Sequence, residues 1–348
     1  MEGCMRNSLV VLASALFLSA CQAEVKPAPE RITPWTTQLR AAQPDDAFAA
    51  VYSWRGQRLI FIGAKHATRT DSLTFRLIEQ AYASFHVDTV IVEGPPYSHG
   101  ANAERLFSWV EKQREIDGFV ESGEIVPTVR GARDHGAVVW GGEPDDTEVR
   151  DRVLARGFTL QDLVGFYTLR SVPQWVREQK ITGPDDSRTK QLIEAELERS
   201  RSRLQAPADP LSSYASWAQW YERTNGKPFD ASFTLEEGGP LADGRYATNK
   251  ISEAIGRVRD EFLLEIIARH LNARDNVLVV FGESHLMMLR PALSSMLGPP
   301  CYEGDDLGAA GVDCRNRRAA LTSQIERIPR VHAERRRGTR DTQSARSP

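Results

Sequence analysis

The chain has 348 residues, 41% of them hydrophobic, with 47 acidic against 44 basic side chains and a net charge of −3. That much apolar sequence can bury a large core, which excludes a fibrous or wholly disordered chain. The near balance of charge leaves no electrostatic footprint for nucleic acid, and none is expected as a partner.

In chain order, Arg6 precedes an almost unbroken apolar run over residues 9–18, too short to span a bilayer stably, which reads as a signal segment ending near residue 20. Residues 22–34 are polar, with prolines at 27, 29 and 34, and predict a tether extending to about residue 40. One domain is then expected over residues 41–300. Residues 48–54 and 58–62 flank an Arg55-Gly56-Gln57 turn and predict a hairpin. A helix is expected over 71–85, a buried strand over 87–92, a helix over 101–116 and a short strand over 137–140. From about 147 to 240 the pattern is helical and aromatic-rich, with Trp175, Trp217, Trp220 and Tyr221, and is read as an insertion. A long helix over 248–271, a strong strand over 276–281 and a helix over 286–297 complete the domain. Strands alternating with helices predict an α/β fold: a mixed, largely parallel sheet flanked by helices, with the insertion as a lid over the site. Beyond it, residues 301–348 form a loop and a basic tail read as solvated and disordered. Cys301 and Cys314 bracket three glycines and can close a disulfide in an oxidising compartment.

In open α/β sheets, ligands bind beyond the strand C-termini. After the predicted strands stand Gly63-Ala64-Lys65-His66, Glu93-Gly94-Pro95-Pro96, Gly141-Gly142-Glu143 and Gly282-Glu283-Ser284-His285. Two Gly-x-x-His pairs occur where chance gives roughly half of one, and both directly follow a strand. Histidine supplies a base or a metal ligand near neutral pH. A histidine oriented by a carboxylate can deprotonate water, and an arginine offers fixed donors to a developing oxyanion. Lys65, Glu143 and His99 are expected to line the pocket as substrate-binding residues. No Gly-x-Ser-x-Gly elbow is present, which weakens a serine-hydrolase reading.

Two resemblances add to this. Leu18-Ser19-Ala20-Cys21 resembles the lipobox of bacterial lipoprotein precursors. That implies acylation of Cys21 and a membrane partner through the lipid anchor. With Gln22 next, it implies an outer-membrane location facing the periplasm. The ordered set Gly63-x-x-His66, Val92-Glu93-Gly94-Pro95, Arg259-Asp260 and Gly282-x-x-His285-Leu286 resembles the Tiki/TraB/erythromycin-esterase-like superfamily, which includes haem-binding lipoproteins. The resemblance implies catalytic positions at His66, Glu93, Arg259 and His285, and water-dependent hydrolysis of a peptide, ester or lactone bond in a peptide or small-molecule substrate. A metal-dependent branch would place Zn, Mn or Co on His66, Glu93, Glu283 and His285. Ala64 stands where that branch usually has threonine, and Gly-Glu-Ser-His is closer to the metal-free esterases. Haem or metal binding without turnover is the alternative, drawing on Tyr97 and His99.

Overall fold

The computed structural model describes residues 24–101, 103–207, 211–310 and 314. Cys21 and the basic tail beyond residue 314 lie outside the described residues. β1 (Phe48–Trp54) and β2 (Gln57–Ala64) form an antiparallel hairpin. Its two-residue turn places Arg55 and Gly56 at φ 50° and 101°, the mirror-image geometry that matches strand twist. α2 (Leu73–Ser84) comes next, its first turn capped by the Ser72 hydroxyl, with α1 (Thr37–Ala41) preceding the hairpin. β3 (Thr89–Pro96) leads into α3 (Ala103–Val110), a small hairpin of β4 (Glu115–Ile116) and β5 (Phe119–Val120), α4 (Ile125–His135) and β6 (Val138–Glu143).

The insertion then supplies α5 (Asp146–Leu154), α6 (Leu160–Leu169), α7 (Ser171–Arg177), α8 (Thr189–Arg203) and α9 (Tyr214–Asn225). α10 (Ala247–Asn272), β7 (Val277–Gly282), α11 (Glu283–Leu297) and β8 (Tyr302–Gly304) close the fold.

The fold is α/β, as the alternation of elements predicts. Six strands lie in the order β6-β3-β7-β2-β1-β8. β6, β3, β7 and β2 are mutually parallel, while β1 and β8 join antiparallel at one edge. Successive side chains alternate between the two faces. Ile60, Ile62, Val90, Val92, Leu278 and Val280 therefore pack under α2 and α4, and Leu59, Phe61, Ile91, Val277, Val279 and Phe281 under α10 and α11. All four parallel strands end along one edge.

Three features differ from the sequence reading. Residues 24–40, the described part of the expected tether, are packed on the body. Val25, Ile32 and Trp35 are buried among the prolines, the Val25 N–H donates to Asn272 Oδ1 at 2.8 Å, and Arg257 Nη1 donates to the Ile32 carbonyl at 2.8 Å. The segment is strapped along α10 and α11 because every third or fourth residue is apolar. The helix expected over 101–116 stops at Val110, and α4 is a helix that sequence signals hide. α4 carries Pro127 and Gly131, ordinarily breakers. Pro127 sits in the first turn, where no N–H is needed. At Gly131 an added Cβ would fall 2.2 Å from the Tyr82 ring, so the glycine lets α2 and α4 close together.

The insertion builds its own core, with Leu163, Val164, Trp217, Trp220 and Tyr221 packed against Ile251, Ile255 and Val258 on the first half of α10. Its tryptophans point inward to that core and do not overhang the strand ends. Cys301 and Cys314 are joined by a disulfide with Cα atoms 5.0 Å apart.

Candidate active site at the strand C-termini

The two Gly-x-x-His motifs face each other across β2 and β7, neighbours in the sheet. Their glycines serve close approach. A Cβ on Gly63 would meet Glu283 Cα at 3.0 Å, so any side chain there would push α11 off the sheet. A Cβ on Gly282 would lie 3.2 Å from His66 Nε2 and 3.5 Å from Glu93 Oε2. His66 and Glu93 thus crowd the same end of β7, and His285 lies in the first turn of α11.

Each histidine is held through Nδ1 by a carboxylate. Glu124, at the start of α4, approaches His66 Nδ1 at 2.6 Å through Oε1 while its Oε2 accepts the Ala67 N–H at 3.2 Å. Asp260, buried on α10, lies 2.5 Å from His285 Nδ1. The carboxylate fixes the tautomer with the proton on Nδ1 and leaves Nε2 for chemistry. His285 Nε2 is 3.7 Å from Glu93 Oε1. The surroundings differ: the His66 side chain is 68% exposed and that of His285 only 9%.

Glu93 sits between the imidazoles on an irregular stretch of β3. Val92 pairs with Gly141 and Pro96 with Glu143, so β3 spends two residues more than β6 over the same span. Gly94, at φ 106°, absorbs the turn. Such a bulge re-aims a side chain, here presenting Glu93 to the strand ends. Its Oε2 accepts the Gly282 N–H at 2.8 Å and its Oε1 accepts from Arg259 Nη2 at 2.9 Å. Arg259 also makes a two-pronged contact with Glu143, through Nε at 2.6 Å and Nη2 at 2.5 Å. One guanidinium therefore bridges two carboxylates.

These contacts set the charges of the site. Burial alone would raise the Glu93 pKa, but the neighbouring His285 and Arg259 charges and the Gly282 N–H outweigh it and hold the carboxyl at about 2. The His66 pKa is raised, chiefly by its hydrogen bond to Glu124, against some burial. For His285 burial pulls the pKa down, and Asp260 with Glu93 more than reverses it, so the net shift is upward.

Of the positions expected from sequence, His66, Glu93, Glu143, Arg259, Glu283 and His285 meet here, with Lys65 at the mouth. Lys65 Nζ is 3.4 Å from Glu283 Oε1, which also accepts from Gln43 Nε2 on the N-terminal strap. His99 lines an adjoining cavity with Glu93. Tyr97 is turned away, stacked on Trp140 with its hydroxyl 3.3 Å from His270 Nε2. The insertion reaches the site through Arg170. Its pKa is lowered by burial, with Arg203 and Arg259 close enough to add repulsion.

Glu124, Gln43 and Arg170 carry no motif and are missed by sequence reasoning. Asp260 stands inside a motif that credits only its neighbour, Arg259. Among the described residues, no group of three or more His, Cys, Asp or Glu is arranged to hold a metal ion. Of the four expected ligands, both Glu93 oxygens and Glu283 Oε1 are engaged by donors of this chain, while Glu283 Oε2 is buried without a hydrogen-bond partner. A comparison of the chain with family models, curated proteins and solved structures finds no match.

Proposed function

We propose that the chain is a water-dependent hydrolase of an ester, lactone or amide bond. The observation that carries this reading is the pair of imidazoles, each pinned at Nδ1 by its own carboxylate, with both Nε2 atoms converging on Glu93. In this reading His285 is the general base. Its Nε2 takes a proton from water, the water oxygen attacks the carbonyl carbon, and Asp260 stabilises the imidazolium by accepting the hydrogen bond from Nδ1–H, which stays on the ring. His66, whose affinity for a proton Glu124 raises and whose ring is open to the substrate side, serves in its protonated form as the acid, giving its Nε2 proton to the departing oxygen or nitrogen. The Lys65 ammonium, 48% exposed at the mouth and 3.4 Å from Glu283 Oε1, would turn from that single carboxylate to the developing oxyanion.

This changes the part assigned to Arg259. Its charge is shared between Glu93 and Glu143, which makes it a positioning residue that holds Glu93 ionised between the imidazoles. The mechanism routes no step through a metal. The haem alternative draws less support, because Tyr97 is committed to His270 and Trp140. We further propose that the chain is an envelope lipoprotein acylated at Cys21. That reading rests on the Leu18–Cys21 motif alone.

The test is ester hydrolysis by the purified chain after dialysis against a chelator. His285→Ala and Asp260→Asn should each lower kcat by about 10²–10⁴, with His66→Ala costing most for substrates with poor leaving groups. Activity that survives both His285→Ala and His66→Ala would reject the assignment.

A further inference from the structure

The bulge that presents Glu93 also opens space beside it. Residues 93–95 drop out of register between the paired Val92 and Pro96, and a cavity of about 420 Å³ lies between this bulge, α3 and the start of α4. That is the size of a small-molecule site. Its apolar walls are Pro95, Pro96, Leu106, Trp109 and Ile125, with His99 and Arg105 as polar lining and Glu93 bordering it on the side of the histidines. Trp109 is 37% exposed, a large apolar side chain left partly in water on the wall of a concave apolar space. The bulge is seated on β6 by close approach: a Cβ on Gly141 would fall 2.0 Å from the Pro95 carbonyl oxygen, so only glycine at that position lets residues 95 and 96 pack where they do.

We propose that this cavity is the subsite for an apolar acyl chain of the substrate, with the carbonyl carbon at Glu93 and the chain running along Leu106 and Trp109. The proposal rests on the hydrolase reading for its reaction and on the cavity's continuity with Glu93 for its occupant. Along Pro95, Leu106, Trp109 and Ile125 a polar acyl group would lose hydration with little to replace it, so the apolar chain is matched to that wall and away from Arg105 and His99. Each methylene that enters is worth about a fourfold gain in kcat/KM.

The experiment is a series of p-nitrophenyl esters from acetate to octanoate, assayed on the wild type, Trp109→Ala and Leu106→Asp. The expected result is a kcat/KM that climbs about fourfold per methylene until the cavity fills. Both variants should lose most of that climb while hydrolysing acetate at the wild-type rate. A flat series in the wild type, or an undiminished slope in both variants, would overturn the subsite and leave the hydrolase standing. Calorimetric titration with 1-octanol separates the two readings. Binding that is abolished in Leu106→Asp, in a chain that hydrolyses no ester, keeps the apolar subsite and rejects the reaction. No binding to the wild type overturns the subsite.

Discussion

Asp260 and Glu124 each fix one imidazole, and pH distinguishes the two. Under the proposed mechanism His285 must be neutral to act as base. Its pKa is raised, so kcat/KM should rise with pH along an acid limb centred above 6.5. Asp260→Asn removes the largest influence raising that pKa, and the limb should move to lower pH as the rate falls. A pH–rate profile measured on both proteins checks this, and a limb unmoved by Asp260→Asn would remove His285 from the base role. Arg259 makes a different kind of prediction. Replacing it with methionine strands Glu93 and Glu143 as neighbouring anions with no cation between them. Breaking such a pair costs about 3–5 kcal/mol when buried. With the arginine side chain 28% exposed, the lower end, about 3 kcal/mol, is expected in urea unfolding at neutral pH. The loss should shrink as pH falls and the freed carboxylates take up protons.

At the scale of elements, the parallel strands are legible because they are continuous apolar runs bounded by glycine, and the residues past a strand can be assigned to the sheet edge once its end is known. That rule locates His66, Glu93, Glu143 and His285. It has no access to Glu124, which pairs with a histidine 58 positions away through a helix whose proline and glycine disguise it. Nor does it foresee the strap: prolines at 27, 29 and 34 suggest an unfolded tether, whereas Val25, Ile32 and Trp35 between and beside them are what bury. The edge strand β8 is too short to leave a periodic signal. It pairs with β1 beside Cys301, whose N–H donates to the Val51 carbonyl at 2.8 Å. The disulfide closes a loop of 13 residues from there, for which constraint of the unfolded chain is worth about 3 kcal/mol. Cys301→Ser should lower the thermal midpoint accordingly. A reductant should do the same to the wild type and nothing to the variant.

For the whole molecule, α10 is the common member. Its first half completes the insertion's core and its second half covers the sheet, with Arg259 and Asp260 at the changeover. The helix therefore fixes the insertion and the site in one frame. The same helix also sets where the N-terminus leaves the body. Val25 is bonded to Asn272 at the end of α10, and Glu24 lies beside Trp54 and Gln57 at the β1–β2 turn. That is the edge where the parallel strands begin, opposite the histidines. Six residues of β7 separate the two edges, roughly 20 Å at the strand rise. Only residues 22 and 23 lie between Cys21 and Glu24, a reach of roughly 10 Å when extended. An acyl group on Cys21, as proposed, would moor the body close to the headgroups by its blunt end. The histidines would then look away from the bilayer, toward molecules dissolved in the compartment and not toward lipids in the membrane that would carry the protein.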